Sequence, residues 1–279
     1  MKTKSYPKEV LSLHYTPHRR TAQISFKGRI MPEPGVLANF ARTLAELGVR
    51  ILALNFTSRD SERYVTSFID LSETKATLEE VVNKVKELEF VEEIQVSGPV
   101  IRGLVVDEHN YPLTILGGRS EAMILPRKLF SGMLAGLRRE LGASGWALAF
   151  NQGLIFGVEL ARSLKLFVRG PNRDLLRTLT RIYTALGWGK VIDADFNLFT
   201  GEGFLAIVNN FEAEAYSLSK EPVCHFTRGA ITGALLEMVG KRFEVVETLC
   251  IAKGDEYCYF SIKPARRSGS GRARVDTQG

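Results

Sequence analysis

The chain has 279 residues, 45% of them hydrophobic and 24% charged, with a formal net charge of +6. That length and apolar content allow two domains with cores of their own and exclude a wholly disordered chain. The apolar runs are broken by charge well short of membrane-spanning length, so no membrane partner is expected. Part of the positive charge sits at the end, where Arg266, Arg267, Arg272 and Arg274 face only Asp276. The rest is too weakly basic for a dedicated DNA-binding domain, and any nucleic-acid contact is expected only as a weak one through that tail. The opening MKTKSYPKEV has basic residues but no apolar block behind them, so no secretory leader is expected. Three cysteines, an odd number, argue against a disulfide scaffold and fit a reducing, cytoplasmic setting.

In chain order, residues 1–20 read as an extended lead-in. Thr21 to Met31 alternates roughly as a strand does, and Pro32 to Gly35 stops it. Val36 to Leu47 carries Val36, Leu37, Phe40, Leu44 and Leu47 on one face of a helix, with Gly48 placed to end it. Val49 to Thr57 and Tyr64 to Ile69 read as strands around a polar loop. Thr77 to Leu88 is a second helix, and Glu80 three residues after Thr77 is the spacing of a capping box. Val91 to Val96 closes the set. The order β-α-β-β-α-β is the ferredoxin-like pattern, with helices on one side and a free sheet face expected to meet a partner domain or a second copy.

Residues Ile24 to Val96 resemble an ACT domain, a small regulatory module of metabolic proteins. The resemblance rests on Glu33, Pro34, Gly35, Val36 and Leu37, followed by Gly48, Val49, Ile51 and Asn55. It implies a regulatory domain over 21–97, with Glu33, Gly35 and Asn55 as the positions that would meet an amino-acid-like ligand. For Gly35 the residues alone equally permit a plain turn position, and for Glu33 an exposed acid.

Residues 98–114 read as a linker. Helices are expected over Arg127 to Leu141, Trp146 to Arg162 and Asn172 to Leu186. Gly153 and Gly157, four apart, suit a close helix contact. LGGRS at 116–120 is glycine-rich but too short for a phosphate loop. Gly187 to Phe196 and Gly203 to Asn209 read as strands. The aromatic residues Trp188, Phe196 and Phe204 in this region either line an apolar ligand cavity or form core.

All three cysteines fall in one stretch, CHFTRGAITGALLEMVGKRFEVVETLCIAKGDEYC, from Cys224 to Cys258. Val223 to Met238 reads as a helix, Phe243 to Cys250 as a strand, and Tyr257 to Ile262 as its return after a turn at Gly254. That hairpin brings Cys250 towards Cys258, with Glu247 on the strand before the turn and Cys224 at the helix start. The residues leave three readings open: a tetrahedral zinc set, three core cysteines without partners, or a redox pair. His225 is read as a packing residue, not a ligand.

This stretch resembles the C-terminal half of the 4-vinyl reductase domain, and the likeness extends weakly over 115–264. The resemblance implies an α/β sandwich that dimerises, with zinc held by Cys224, Glu247, Cys250 and Cys258. Four protein ligands leave no open position, so the zinc would be structural and would clamp helix to hairpin. Aromatic-sensing members of the family use a histidine upstream of the zinc helix, and none occurs here between His109 and His225. The whole chain is therefore expected to be α+β: a ferredoxin-like ACT-type domain, a zinc-clamped 4-vinyl-reductase-type sandwich, and a basic, disordered tail over 265–279. The expected function is non-enzymatic ligand sensing by a homodimer, with the signal passed to a protein partner and transcriptional regulation as one setting. The alternative is a zinc-stabilised adaptor, or an accessory factor for a metabolic enzyme such as one of tetrapyrrole synthesis. No nucleotide-binding or hydrolase motif points to catalysis.

Overall fold

The structure, a computed structural model, describes residues 10, 12–29, 35–59, 62–167, 172–216 and 218–265. The chain divides into two compact units, Met1–Met123 and Ile124–Gly279.

The first unit contains β1 (Leu13–Tyr15), β2 (Thr21–Arg29), α1 (Val36–Glu46), β3 (Arg50–Arg59), β4 (Glu62–Asp70), α2 (Leu78–Lys86) and β5 (Val91–Ser97). Short strands follow: β6 (Pro99–Ile101), β7 (Leu104–Val106), β8 (Thr114–Ile115) and β9 (Ser120–Glu121). The main sheet is antiparallel in the order β3-β4-β2-β5, the arrangement expected of the ferredoxin-like pattern. One face packs on the helices, with Ile24, Phe26, Val65 and Ile69 against Phe40, Leu44, Val81 and Val85. Thr77 caps α2 in a full capping box with Glu80, as the spacing predicts. Gly48, at φ +69°, follows α1 in the left-handed conformation that glycine adopts freely.

The other sheet face departs from expectation. It is covered by the unit's own chain, through the lead-in and the stretch read as a linker. β1 pairs with β7 and β7 with β6 in a second, three-stranded sheet. The His14 ring lies 5.5 Å from that of Phe68, which is fully buried. Gln23 reaches Asp107, and the Asn110 side chain donates to Ser25 Oγ at 2.7 Å. Residues 98–114 therefore belong to the first unit. The stretch Ile101 to Val106 permits a strand, but so short a segment does not show where it pairs, because the partner lies some 90 residues upstream.

The second unit contains α3 (Arg127–Leu141), α4 (Ala143–Lys165), α5 (Asn172–Ala185), β10 (Lys190–Phe196), β11 (Gly203–Val208), α6 (His225–Val239), β12 (Phe243–Leu249) and β13 (Cys258–Pro264). The strands form an antiparallel sheet in the order β10-β11-β13-β12. Helix α6 lies between this sheet and α4. Leu235 joins the sheet core with Leu205, Ile207, Phe260 and Ile262, while the opposite side of α6 meets α4 backbone to backbone. A helix enclosed in this way shows no single apolar stripe.

The α4–α6 contact is made by glycines on both helices. A Cβ at Gly153 or Gly157 would sit 2.0 Å from the carbonyl oxygens of Phe226 and Ala230, and one at Gly229 or Gly233 would sit 2.0 Å from those of Phe150 and Leu154. The spacing of Gly153 and Gly157 marks this contact in the sequence. Its counterpart on α6 completes it.

Because those neighbours are backbone atoms, the helices must separate to admit a methyl group. Gly157→Ala is expected to lower the unfolding free energy by at least about 2 kcal/mol. Gly132→Ala on α3, where a Cβ meets nothing within 4 Å, should be neutral or gain up to about 1 kcal/mol through helix propensity. Urea denaturation of the two variants checks the contrast.

Candidate metal centre

Strand alternation builds half of the centre. On β12, Phe243, Val245 and Glu247 point inwards, and on β13 Cys258, Phe260 and Ile262 do the same. Glu247 pairs with Phe260 across the two strands, and the register shifts between Glu247 and Leu249. After that bulge Cys250 enters a tight turn over Ile251–Lys253, which Gly254 closes at φ +99°. Asp255 holds the turn by accepting the Cys250 amide at 2.7 Å. Cys224 comes from elsewhere, as the residue immediately before α6.

The four side chains converge. Cys224 Sγ lies 3.9 Å from Cys250 Sγ and 3.7 Å from Cys258 Sγ. The donor atoms of Cys224, Glu247, Cys250 and Cys258 all lie within 4.8 Å of one another, and all four residues are buried. Zinc–thiolate bonds of about 2.3 Å in a tetrahedron put sulfurs about 3.8 Å apart, so these separations match a zinc-sized tetrahedral ion. Glu247 Oε2 accepts the Cys224 amide at 2.9 Å, whereas its Oε1 is buried with no partner. A buried carboxylate oxygen without a partner is costly, and a cation at the centre supplies what it lacks. Burial pushes the Cys224 thiol well above its ordinary range, and burial followed by the nearby Cys250 raises Glu247 to about 8. Without an ion Cys224 and Glu247 therefore tend to hold their protons, which a divalent cation would displace. The donor set and the unpartnered oxygen both fit a bound metal.

One residue essential to this arrangement escaped the sequence reading. Glu212, on the short helical turn Phe211–Ala215, is fully buried. Its two carboxylate oxygens accept the amides of Phe226 and Thr227, each at 2.8 Å. It thus caps α6, a task the Cys224 side chain does not perform. A sulfur committed to a metal is unavailable for capping, so the cap comes from outside the helix. Burial raises the Glu212 pKa to about 7 against the pull of those two amides. Beside it, Tyr183 and Thr227 both donate to Asn210 Oδ1. Glu212 precedes Phe226 by 14 residues, far from the three-residue spacing that marks a local cap.

His225 stays outside the donor set. Its ring stacks on Trp146 with centroids 4.7 Å apart, and the Arg138 guanidinium lies 4.3 Å from the Trp146 ring.

The remaining expected site residues are not gathered into one place. Trp188 packs ring on ring with Phe130, Phe156, Tyr183 and Phe211. Phe196 lies in the sheet core against Phe243. Phe204 stands opposite Asp195, one position off the pair Phe196–Gly203, so alternation turns it to the other sheet face, where it stacks on Tyr259. The three do not line a common cavity. In the first unit Gly35 starts α1, while Asn55 projects from β3 into a cleft on the sheet face away from the helices. Glu33 lies outside the described residues, as does the basic tail from 266 onwards.

The family profile of the 4-vinyl reductase domain matches residues 204–264, the span from β11 to the end of β13 that contains all four donor residues. An uncharacterized protein of Methanocaldococcus jannaschii is 46% identical over 41 residues, which is 15% of this chain and 24% of that protein. A second from the same organism is 43% identical over 51 residues, 18% of this chain and 22% of its own length. The chain thus spans about a quarter of the length of the curated relatives it matches. Among solved structures it is similar to the phenol-responsive sensory domain of the transcription activator PoxR with phenol, at 23% identity and a TM-score of 0.45, over 53% of this chain and 78% of that one. A vinyl-4-reductase family protein from Methanocaldococcus jannaschii aligns at 22% identity and a TM-score of 0.39, over 52% of this chain and 85% of its own. The ACT domain from GTP pyrophosphokinase of Chlorobium tepidum aligns at 15% identity and a TM-score of 0.24, over 28% of this chain and 97% of its own.

Two outcomes are expected. A strong chelator should lower the thermal midpoint of the native protein but not that of Cys250→Ser, which should purify without metal; a metal-free native protein of undiminished stability would overturn the assignment. Glu212→Ala removes the acceptor of two buried amides and should destabilise the protein by about 3 kcal/mol, read by urea denaturation.

Proposed function

We propose that this chain is a ligand-responsive regulatory protein whose second unit is stabilised by a structural zinc ion. The observation that carries the reading is the closed donor set of Cys224, Glu247, Cys250 and Cys258. Three thiolates and a carboxylate complete a tetrahedron, and a complete tetrahedron has no position for substrate or water. Zinc would therefore fix the start of α6 to the β12–β13 hairpin and take no part in catalysis. The family-profile match over this same segment supports placing the unit among 4-vinyl-reductase-type domains. The ferredoxin-like topology of the first unit supports the ACT-type regulatory reading of residues 21–97. The protein would act as a homodimer, bind a small metabolite and signal to a protein partner, with transcriptional regulation as the setting. No described helix is long and apolar enough to cross a membrane.

The adaptor alternative draws on one observation. The rings around Trp188 pack against one another, which suits a second unit that holds its shape without a ligand.

Native mass spectrometry of the full chain, read before and after gentle denaturation, separates these readings. Sensing predicts a dimer with one zinc per chain that takes up a small molecule from a metabolite extract. A zinc-bearing dimer that takes up none favours the adaptor, and a folded chain without zinc rejects both.

A further inference from the structure

A second site lies in the first unit, on the sheet face that α1 and α2 leave free. A cleft of about 440 Å³ runs between that face and the segment Asp107–Gly118. Strand register sets its floor. Thr57, Tyr64, Lys27 and Glu93 stand opposite one another across β3, β4, β2 and β5. Asn55, Thr66, Ser25 and Gln95 form the next row on the same face. Both rows line the cleft without a single aliphatic side chain. The opposite face of the same strands is apolar, so the polarity belongs to this surface and not to the strands. A sheet face covered by its own chain is ordinarily apolar, because buried polar groups need partners.

Most charges here are already used. Lys27 pairs with Glu62, which also accepts the Tyr64 hydroxyl. Asp107 accepts the amides of His109 and Asn110. Arg59 is different: among the described residues it makes no ion pair, and its Nη2 donates to the Gly118 carbonyl at 2.9 Å. Leu116, Gly117 and Gly118 beside it have consecutive positive φ angles of 55°, 67° and 84°. A Cβ at Gly118 would stand 2.0 Å from that nitrogen, so a side chain there would push the guanidinium aside, and the positive φ independently favours glycine. LGGRS is too short to wrap a phosphate by itself, but here it is joined by a cation from β3.

The Gly118 amide donates to the Ile115 carbonyl at 3.2 Å, so the oxyanion recognition here falls to the remaining N–H groups of the Arg59 guanidinium. Beyond these groups the cleft offers hydroxyls and amides, the Glu93 carboxylate, which accepts from Gln95 Nε2 at 3.1 Å, and the rings of Tyr64, His109 and Tyr111; Tyr111 is 88% exposed. Such groups suit a hydroxylated ring. Four strands span about 14 Å at their usual spacing, more than a single amino acid or a free phosphate occupies.

We propose that this cleft binds a small hydroxylated phosphate ester. Its phosphate rests on Arg59 and the Gly117–Gly118 turn, and its ring lies across Asn55, Thr57, Ser25 and Gln95. The site is independent of the metal centre and goes beyond the function proposed above.

Isothermal titration calorimetry of the full chain tests it, with adenosine 5′-monophosphate and glucose 6-phosphate as probes. Adenosine, glucose and inorganic phosphate serve as comparisons. At least one ester should bind saturably and about tenfold or more tightly than both its unphosphorylated form and inorganic phosphate. Binding of the first ester alone assigns a nucleotide, and of the second alone a sugar phosphate. Arg59→Gln should weaken the bound ester by about tenfold or more with an unchanged thermal midpoint. Asn55→Ala, a change on the floor away from the turn, should weaken it as well. The proposal is overturned if neither ester binds, if a comparison compound binds as tightly, or if both variants keep the native affinity.

Discussion

Three thiolates and a carboxylate do not share a buried pocket at low cost unless something positive lies among them. In the second unit this constraint reaches beyond the four residues involved. Glu247 is turned inwards on β12, Cys258 opens β13, Cys250 sits where the hairpin bends, and Cys224 stands at the start of α6. Any ion that draws them together also fixes a helix to a sheet. Cys224 and Glu247 lie 23 residues apart in the chain, so their link is not part of a local hydrogen-bond pattern. The Cys224 amide bond to Glu247 is a direct polar contact between them, and it holds the carboxylate with one oxygen bonded and the other aimed at the sulfurs.

Helix α6 depends on that junction and on three further contacts. On one side its glycines let α4 approach until backbones touch. At its start Glu212 satisfies amides that the cysteine leaves open. The other side packs on the sheet through Leu235. Each contact constrains a different degree of freedom: separation from α4, satisfaction of the helix end, and registry with the hairpin. A helix so enclosed has no free face on which to bind a ligand, so a ligand in this unit would need space made by neighbouring elements.

The first unit solves a different problem. A four-stranded sheet with helices on one face must cover the other, and this chain uses its own early and late segments for the purpose. The cover is tied down by polar bonds, from Asn110 to Ser25 and from Gln23 to Asp107, as well as by burial of Phe68 and Val105. That choice leaves a polar cleft, where an apolar cover would have left a sealed core. The same sheet therefore has one face built for stability and one whose chemistry is unspent.

The sequence by itself determined most of the longer secondary elements and placed three of the four candidate metal donors on or beside one hairpin. Periodicities of 3.6 and 2 residues are local, so α1, α2, α3, the β12–β13 hairpin and the Thr77–Glu80 cap were legible from spacing. Glu247, Cys250 and Cys258 fall on or beside one hairpin, so alternation alone brought them close, and Cys224 followed from the helix start. Tertiary structure decided what spacing does not encode. Glu212 caps a helix 14 residues away in sequence; β1 finds β7 across some 90 residues. Phe196 and Phe204 part company because they sit on opposite sides of one sheet, and Arg59 meets Gly118 only because the end of β3 lies beside a turn distant in sequence. Local pattern fixes which way a side chain leaves its own element. Only the packing of elements decides what it meets there.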